Sequence, residues 1–120
     1  MRLILTTFMS LAMVAPLQAQ NVDFVTDAKL CPLELIDRQE QGMSFDGQDF
    51  WEIEYHCALK EPLPVGNLGL EITHVSAGYC EEPGFVYPTV FVIRAFPEEP
   101  DVLRVYQGDT GEPTLYHACG

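Results

Sequence analysis

Four cysteines constrain this chain more than any other feature. Cys31, Cys57, Cys80 and Cys119 fall in a chain of 120 residues. An even count in a short exported chain favours disulfides over free thiols. The residues ahead of them point to export. Arg2 precedes an apolar run from Leu3 to Val14, Pro16 breaks the run, and Leu17-Gln18-Ala19 offers uncharged side chains at −3 and −1. This is the order of a secretory signal peptide, with cleavage expected after Ala19. A membrane anchor fits poorly. The apolar run spans about 18 Å as a helix, against a bilayer core of about 30 Å. The expected layout is a signal peptide over residues 1–19 and a single domain over 20–120, secreted or periplasmic. No cysteine follows the cleavage point closely enough for lipid anchoring.

Four cysteines allow three pairings. If residues 33–38 and 50–59 form the arms of a hairpin centred near Ser44, Cys31 falls opposite Cys57. Cys80 is then left with Cys119. A metal site is the competing use of these residues. Tyr55-His56-Cys57 and Tyr116-His117-Ala118-Cys119, with His74 and Cys80, supply the ligand types. None has the short Cys-Cys or His-His spacing of structural zinc sites. On a strand, His56 and Cys57 point to opposite faces, whereas His117 and Cys119 share one.

Period-two alternation sets the fold class. Phe50 to Leu59 alternates Trp51, Ile53, Tyr55, Cys57 and Leu59 with Glu52, Glu54, His56 and Ala58, the pattern of a half-buried strand. Asp46-Gly47 ahead of it signals a turn. Val86 to Phe96 is the second strong strand. Its run Val90-Phe91-Val92-Ile93 predicts a central position covered on both faces, and Pro88 is placed at its start. Pro97 to Asp101 is an acidic turn, Val102 to Gln107 a returning strand, Gly108 to Gly111 a turn, and Thr114 to Cys119 a last strand. Cys31 to Arg38 and Leu68 to Ile72 give weaker strand signals, and Asn21 to Ala28 a loose arm or helical turn. Short strands between closely spaced turns predict an all-β domain. The expected architecture is a small antiparallel β-sandwich or open barrel of about 6–7 strands, stapled by two disulfides.

The chemistry legible in the residues is sparse. Glu52 and Glu54 share one face of the expected strand about 6.5–7 Å apart, within the range of glycosidase carboxylates. Strand alternation alone produces the same pair. Asp46-Gly47-Gln48-Asp49 and Gly108-Asp109-Thr110-Gly111 carry oxygen ligands in turns but lack the twelve-residue calcium loop. Glu81-Glu82-Pro83 and Glu98-Glu99-Pro100 fit acidic turns. Ser44 and Ser76 have no nucleophile motif around them, and no phosphate-binding loop or basic patch is present. No catalytic residue, metal site or cofactor is therefore expected.

Charge is the remaining clue. The chain carries 18 acidic and 6 basic residues, a net charge of −12. Cleavage after Ala19 would remove Arg2 and leave −13. Such a surface repels nucleic acid and anionic membranes and attracts cations. The expectation is a non-catalytic binding module whose partner is a cationic protein or small cation. A metal-binding protein using Cys and His ligands is the alternative.

Overall fold

The computed structural model describes residues 23–64, 66 and 68–120. The expected signal peptide lies outside the described residues. Eight strands run in chain order around a closed barrel: β1 Phe24–Val25, β2 Ser44–Phe45, β3 Asp49–Glu52, β4 Tyr55–Leu59, β5 Ile72–Glu82, β6 Phe85–Phe96, β7 Glu99–Gln107 and β8 Thr114–Ala118. Every neighbour is antiparallel, and β8 closes onto β1 through Phe24↔Ala118 and Val25↔His117. The all-β antiparallel class stands. The sandwich and open barrel give way to closure, with eight strands rather than 6–7. Two of the eight, β1 and β2, are two residues long and leave no periodic signal.

The expected strand over 50–59 is a tight hairpin. Glu52 pairs with Tyr55, and Ile53 and Glu54 form the turn. This reverses the expected faces. Phe50 points inward and is buried, while Ile53 is 58% exposed at the tip. Trp51 lies on the outside, stacked on His56. Past the turn, Cys57 and Leu59 are buried as expected.

The β5–β6 hairpin is the longest element. Glu82 pairs with Phe85 across Pro83-Gly84, with Gly84 at φ 96°. Proline followed by a left-handed glycine is the residue order of a type II turn. Pro88 lies within β6, opposite Tyr79, and not at its start. β7 joins β6 in register only from Phe91 onward. The earlier part of β6 is thus a free edge, where a missing N–H is tolerated. Nor is β6 covered on both faces: Phe91, Ile93 and Ala95 are buried, while Val86 and Val90 are exposed. Gly78 faces the interior, where an added Cβ would meet the Ala58 carbonyl oxygen and Phe91. Glycine there lets β4 and β5 approach closely at Leu59↔Gly78.

Aromatic rings fill the barrel. Phe45 stacks on Phe50 at 4.1 Å between centroids, Phe50 on Phe91 at 5.1 Å, and Tyr116 meets Phe45 and Phe50 edge-on. Leu59, Ile93, Leu103 and Val105 complete the packing.

The segment between β1 and β2 is helical rather than a strand over 31–38. It holds a 3₁₀ turn at Ala28–Leu30 and helix α1 at Leu35–Gln41. α1 packs against β2 and β3. Residues 68–70 form only an isolated bridge, so β5 begins at Ile72 rather than at Leu68.

The disulfides are Cys31–Cys119 and Cys57–Cys80. The hairpin of 33–38 with 50–59 does not exist, so the pairing inferred from it fails. Cys57 and Cys80 instead sit directly opposite on β4 and β5, with Cα atoms 4.0 Å apart. Cys31–Cys119 ties the helical segment to the end of β8. Two disulfides mark a protein that folds in an oxidising environment. Among the described residues, no helix is long and apolar enough to cross a membrane.

Candidate functional site

The tips of the β3–β4 and β5–β6 hairpins lie side by side and gather the acidic residues. Strand register explains how. On the outer face, Trp51, His56, Glu81 and Val86 form one row across four strands. On the inner face, Glu52, Tyr55, Glu82 and Tyr87 surround the barrel mouth, above the Cys57–Cys80 disulfide. Glu54 projects from the turn with a left-handed backbone, φ 57°. The Ile53 amide donates to the Gln39 carbonyl at 3.0 Å, which pins the tip to α1.

Two grooves flank the β3–β4 tip. The outer one has a volume of ≈ 730 Å³ and is walled by Trp51, His56, Glu81 and Phe85. The inner one, ≈ 590 Å³, is walled by Glu52, Tyr55, Glu82 and Tyr87. Glu52, Glu54 and Glu82 border both. Each groove thus combines carboxylates with aromatic rings.

The outer wall is braced by His56. Its Nδ1 lies 2.7 Å from Glu81 Oε1 and its Nε2 2.8 Å from Asp49 Oδ1. The imidazole stacks on Trp51 with centroids 4.1 Å apart. Both carboxylates and the indole are thereby held in one orientation.

The inner wall is a polar network. Gln107 Nε2 donates to the Tyr55 hydroxyl at 2.9 Å and lies 3.3 Å from Cys80 Sγ. The hydroxyls of Tyr55 and Tyr87 are 3.4 Å apart. The bond to Tyr55, then burial, then negative charge at Tyr55 and Glu82 push the Tyr87 hydroxyl up to about 12. Burial foremost, helped by Tyr55 and Glu52, raises Tyr116 as well. Both stay neutral at ordinary pH; Tyr87 presents its hydroxyl and ring face to the inner groove, whereas Tyr116 is buried in the core beneath it.

The residues singled out in the sequence fare differently. Glu52 and Glu54 do not share a strand face, since Glu54 is in a turn. The turn nevertheless brings both to the same grooves. Asp46 spends its Oδ1 on the amides of Gln48 and Asp49, at 2.9 and 2.7 Å, closing the β2–β3 turn. In the 108–111 turn, the Thr110 hydroxyl donates to the Gln107 carbonyl. His74 Nε2 donates to the Glu61 carbonyl, and His117 pairs in register with Val25 and Val102. Among the described residues there is no free cysteine, and no cluster of three or more His, Cys, Asp or Glu fits a metal ion. The Cys-His metal alternative therefore lacks its thiolates.

Sequence reasoning missed Tyr87, Gln107 and Phe85 as site residues. The Pro83-Gly84 dipeptide is a turn signal, and placing a hairpin there would have brought Glu81, Glu82 and Phe85 to the same tip. Comparison of the chain with protein-family models, curated proteins and solved structures finds no match.

Proposed function

We propose that this protein is an exported, non-catalytic binding module that captures a cationic partner in the grooves at the hairpin tips. The partner class that fits is a lysine- or arginine-bearing segment of a basic protein. One observation carries the reading: Glu52, Glu54, Glu81 and Glu82 converge with Trp51, Tyr55, Phe85 and Tyr87 on the same two grooves. Carboxylates alone attract any cation. Aromatic faces add a reward for cations that can shed water, worth about 0.5–2 kcal/mol per contact. The net charge of −12 steers such a partner in from a distance.

The test is a titration of the disulfide-bonded protein with a basic peptide at low salt and at about 0.5 M salt, where the Debye length falls to a few Å. Affinity should fall steeply with salt. It should also fall when Glu52 and Glu82 are both changed to Gln, and much less for Glu71→Gln, an exposed acid outside both grooves. Binding that survives high salt unchanged, or that ignores the Glu52/Glu82 change, would reject the electrostatic reading.

A further inference from the structure

The β6–β7 hairpin carries the opposite charge, in an arrangement the cation reading leaves unused. Arg94 and Arg104 stand directly opposite each other on adjacent strands. Like charges in that position destabilise a sheet, and this chain has few cations to spare. Only Lys29, Arg38, Lys60, Arg94 and Arg104 lie beyond residue 19. The two guanidinium groups share one ring: their carbons lie 4.8 Å (Arg94) and 5.0 Å (Arg104) from the Phe96 centroid.

The register explains the crowding. Arg94 pairs with Arg104, yet Phe96, two residues on, pairs with Glu99. β7 thus bulges over Pro100 to Val102, and the bulge returns Glu99 to Arg104. Glu99 Oε2 accepts from Arg104 Nη2 at 2.8 Å. That leaves donors over. Arg94 Nε and Arg104 Nη1 are buried and have no acceptor among the described residues. Orphaned donors of charged groups are costly.

The geometry points to a carboxylate-binding site at Arg94, Arg104 and Phe96. The Phe96 ring sits beside both guanidinium carbons, and Arg94 Nε and Arg104 Nη1 are the N–H groups left without an acceptor among the described residues. Both donors are buried in this conformation, so binding requires the two side chains, which are themselves half-buried, to turn outward and present Arg94 Nε and Arg104 Nη1 to one incoming carboxylate, the planar partner that guanidinium forks match best. Charge selects a monoanion. Two arginines against the resident Glu99 leave one positive charge at the site. A dianion such as phosphate would overfill it, within a chain already at −12. A free small carboxylate and the side chain of an acidic peptide satisfy the same chemistry.

The test follows the arginine Nε–Hε signals of the ¹⁵N-labelled, disulfide-bonded protein by NMR. The probes are sodium acetate, a capped Gly-Glu-Gly peptide and inorganic phosphate, at constant ionic strength. Acetate or the peptide should shift Arg94 and Arg104 saturably, and the tighter of the two identifies the source. Arg94→Gln should weaken that binding by about tenfold or more, the loss of one charge-assisted bond. Glu99→Gln should tighten it, because the competing resident carboxylate is gone. This opposite sign separates a binding role from a structural one. Arg94→Lys, which keeps charge and stem, should stay folded and still bind more weakly. Absence of a saturable shift, tighter binding of phosphate than of acetate, or weakening by Glu99→Gln would each overturn the site.

Discussion

Glu54 is the only described non-glycine residue with a left-handed backbone, at φ 57°. A residue with a Cβ is strained there by about 1–2 kcal/mol. Strain of this kind persists where the surroundings over-determine it, often at binding sites. Here the register of Glu52↔Tyr55 and the Ile53–Gln39 hydrogen bond force the turn. Glu54→Gly should therefore raise stability by about 0.5–1 kcal/mol in urea unfolding, once glycine's extra unfolded-state freedom is subtracted. The same change should weaken the capture of basic peptide. Tyr87 provides a second residue-scale prediction. Its hydroxyl ionises near 10.0 when unfolded and near 12 when folded. The folded state holds the proton more tightly, so this contribution is complete below pH 10 and is lost as pH rises towards 12. Unfolding midpoints should fall across that window, and Tyr87→Phe should flatten the fall.

At the scale of elements, alternation was readable where a strand was long enough to repeat. β6, β7 and β8 follow the pattern from Val86, Val102 and Thr114. Alternation misled across Phe50 to Leu59, because a two-residue turn sets even-numbered residues of one arm opposite odd-numbered residues of the other, as in Phe50↔Cys57. Tyr55, Cys57 and Leu59 kept their inward face, while Trp51 and Phe50 exchanged theirs. β5 was nearly silent, since its inward row includes His74, Ser76 and Gly78 while Val75 and Tyr79 face outward. The helical segment was also missed. α1 has no side-chain N-cap bond and no buried residue, so it carries no apolar stripe. It is held instead by Arg38. The Arg38 guanidinium donates through Nη2 to the Cys31 carbonyl at 2.6 Å and through Nε to the Leu33 carbonyl at 2.8 Å, and its Nη1 is 3.5 Å from Asp23 Oδ2. Charge-assisted bonds of this type contribute about 1.5–3 kcal/mol. Arg38→Ala should cost about that much. Amide exchange should accelerate over residues 28–42 well before it does in β5 and β6.

For the whole molecule, closure depended on contacts no local pattern carries. β1 and β2 are recruited by rings: Phe24 packs on Phe45, and Phe45 packs on Phe50 of the adjacent β3 and on Tyr116 of the sequence-distant β8. Four cysteines announced two staples, but their partners depended on that closure. The two bridges then divide the labour. Cys31–Cys119 spans 88 residues and Cys57–Cys80 spans 23. By loop-closure entropy these constrain the unfolded chain by about 4.5 and about 3.5 kcal/mol. Access runs the other way from any notion that the longer loop is better protected. Cys57 and Cys80 are 1% and 0% exposed, while Cys31 and Cys119 are half-buried at the barrel's outside. Thiol–disulfide exchange needs an attacking thiolate to reach a sulfur. Mild reductant should open Cys31–Cys119 first and spare Cys57–Cys80 until the barrel unfolds. Trapping the free thiols with an alkylating agent and mapping them by peptide mass separates the two. The singly reduced protein should keep its barrel and its aromatic core, with β5 and β6 amides still protected, but melt at a lower temperature. Alkylation of Cys57 and Cys80 at the same rate as Cys31 and Cys119 would mean that the core opens as readily as the strap.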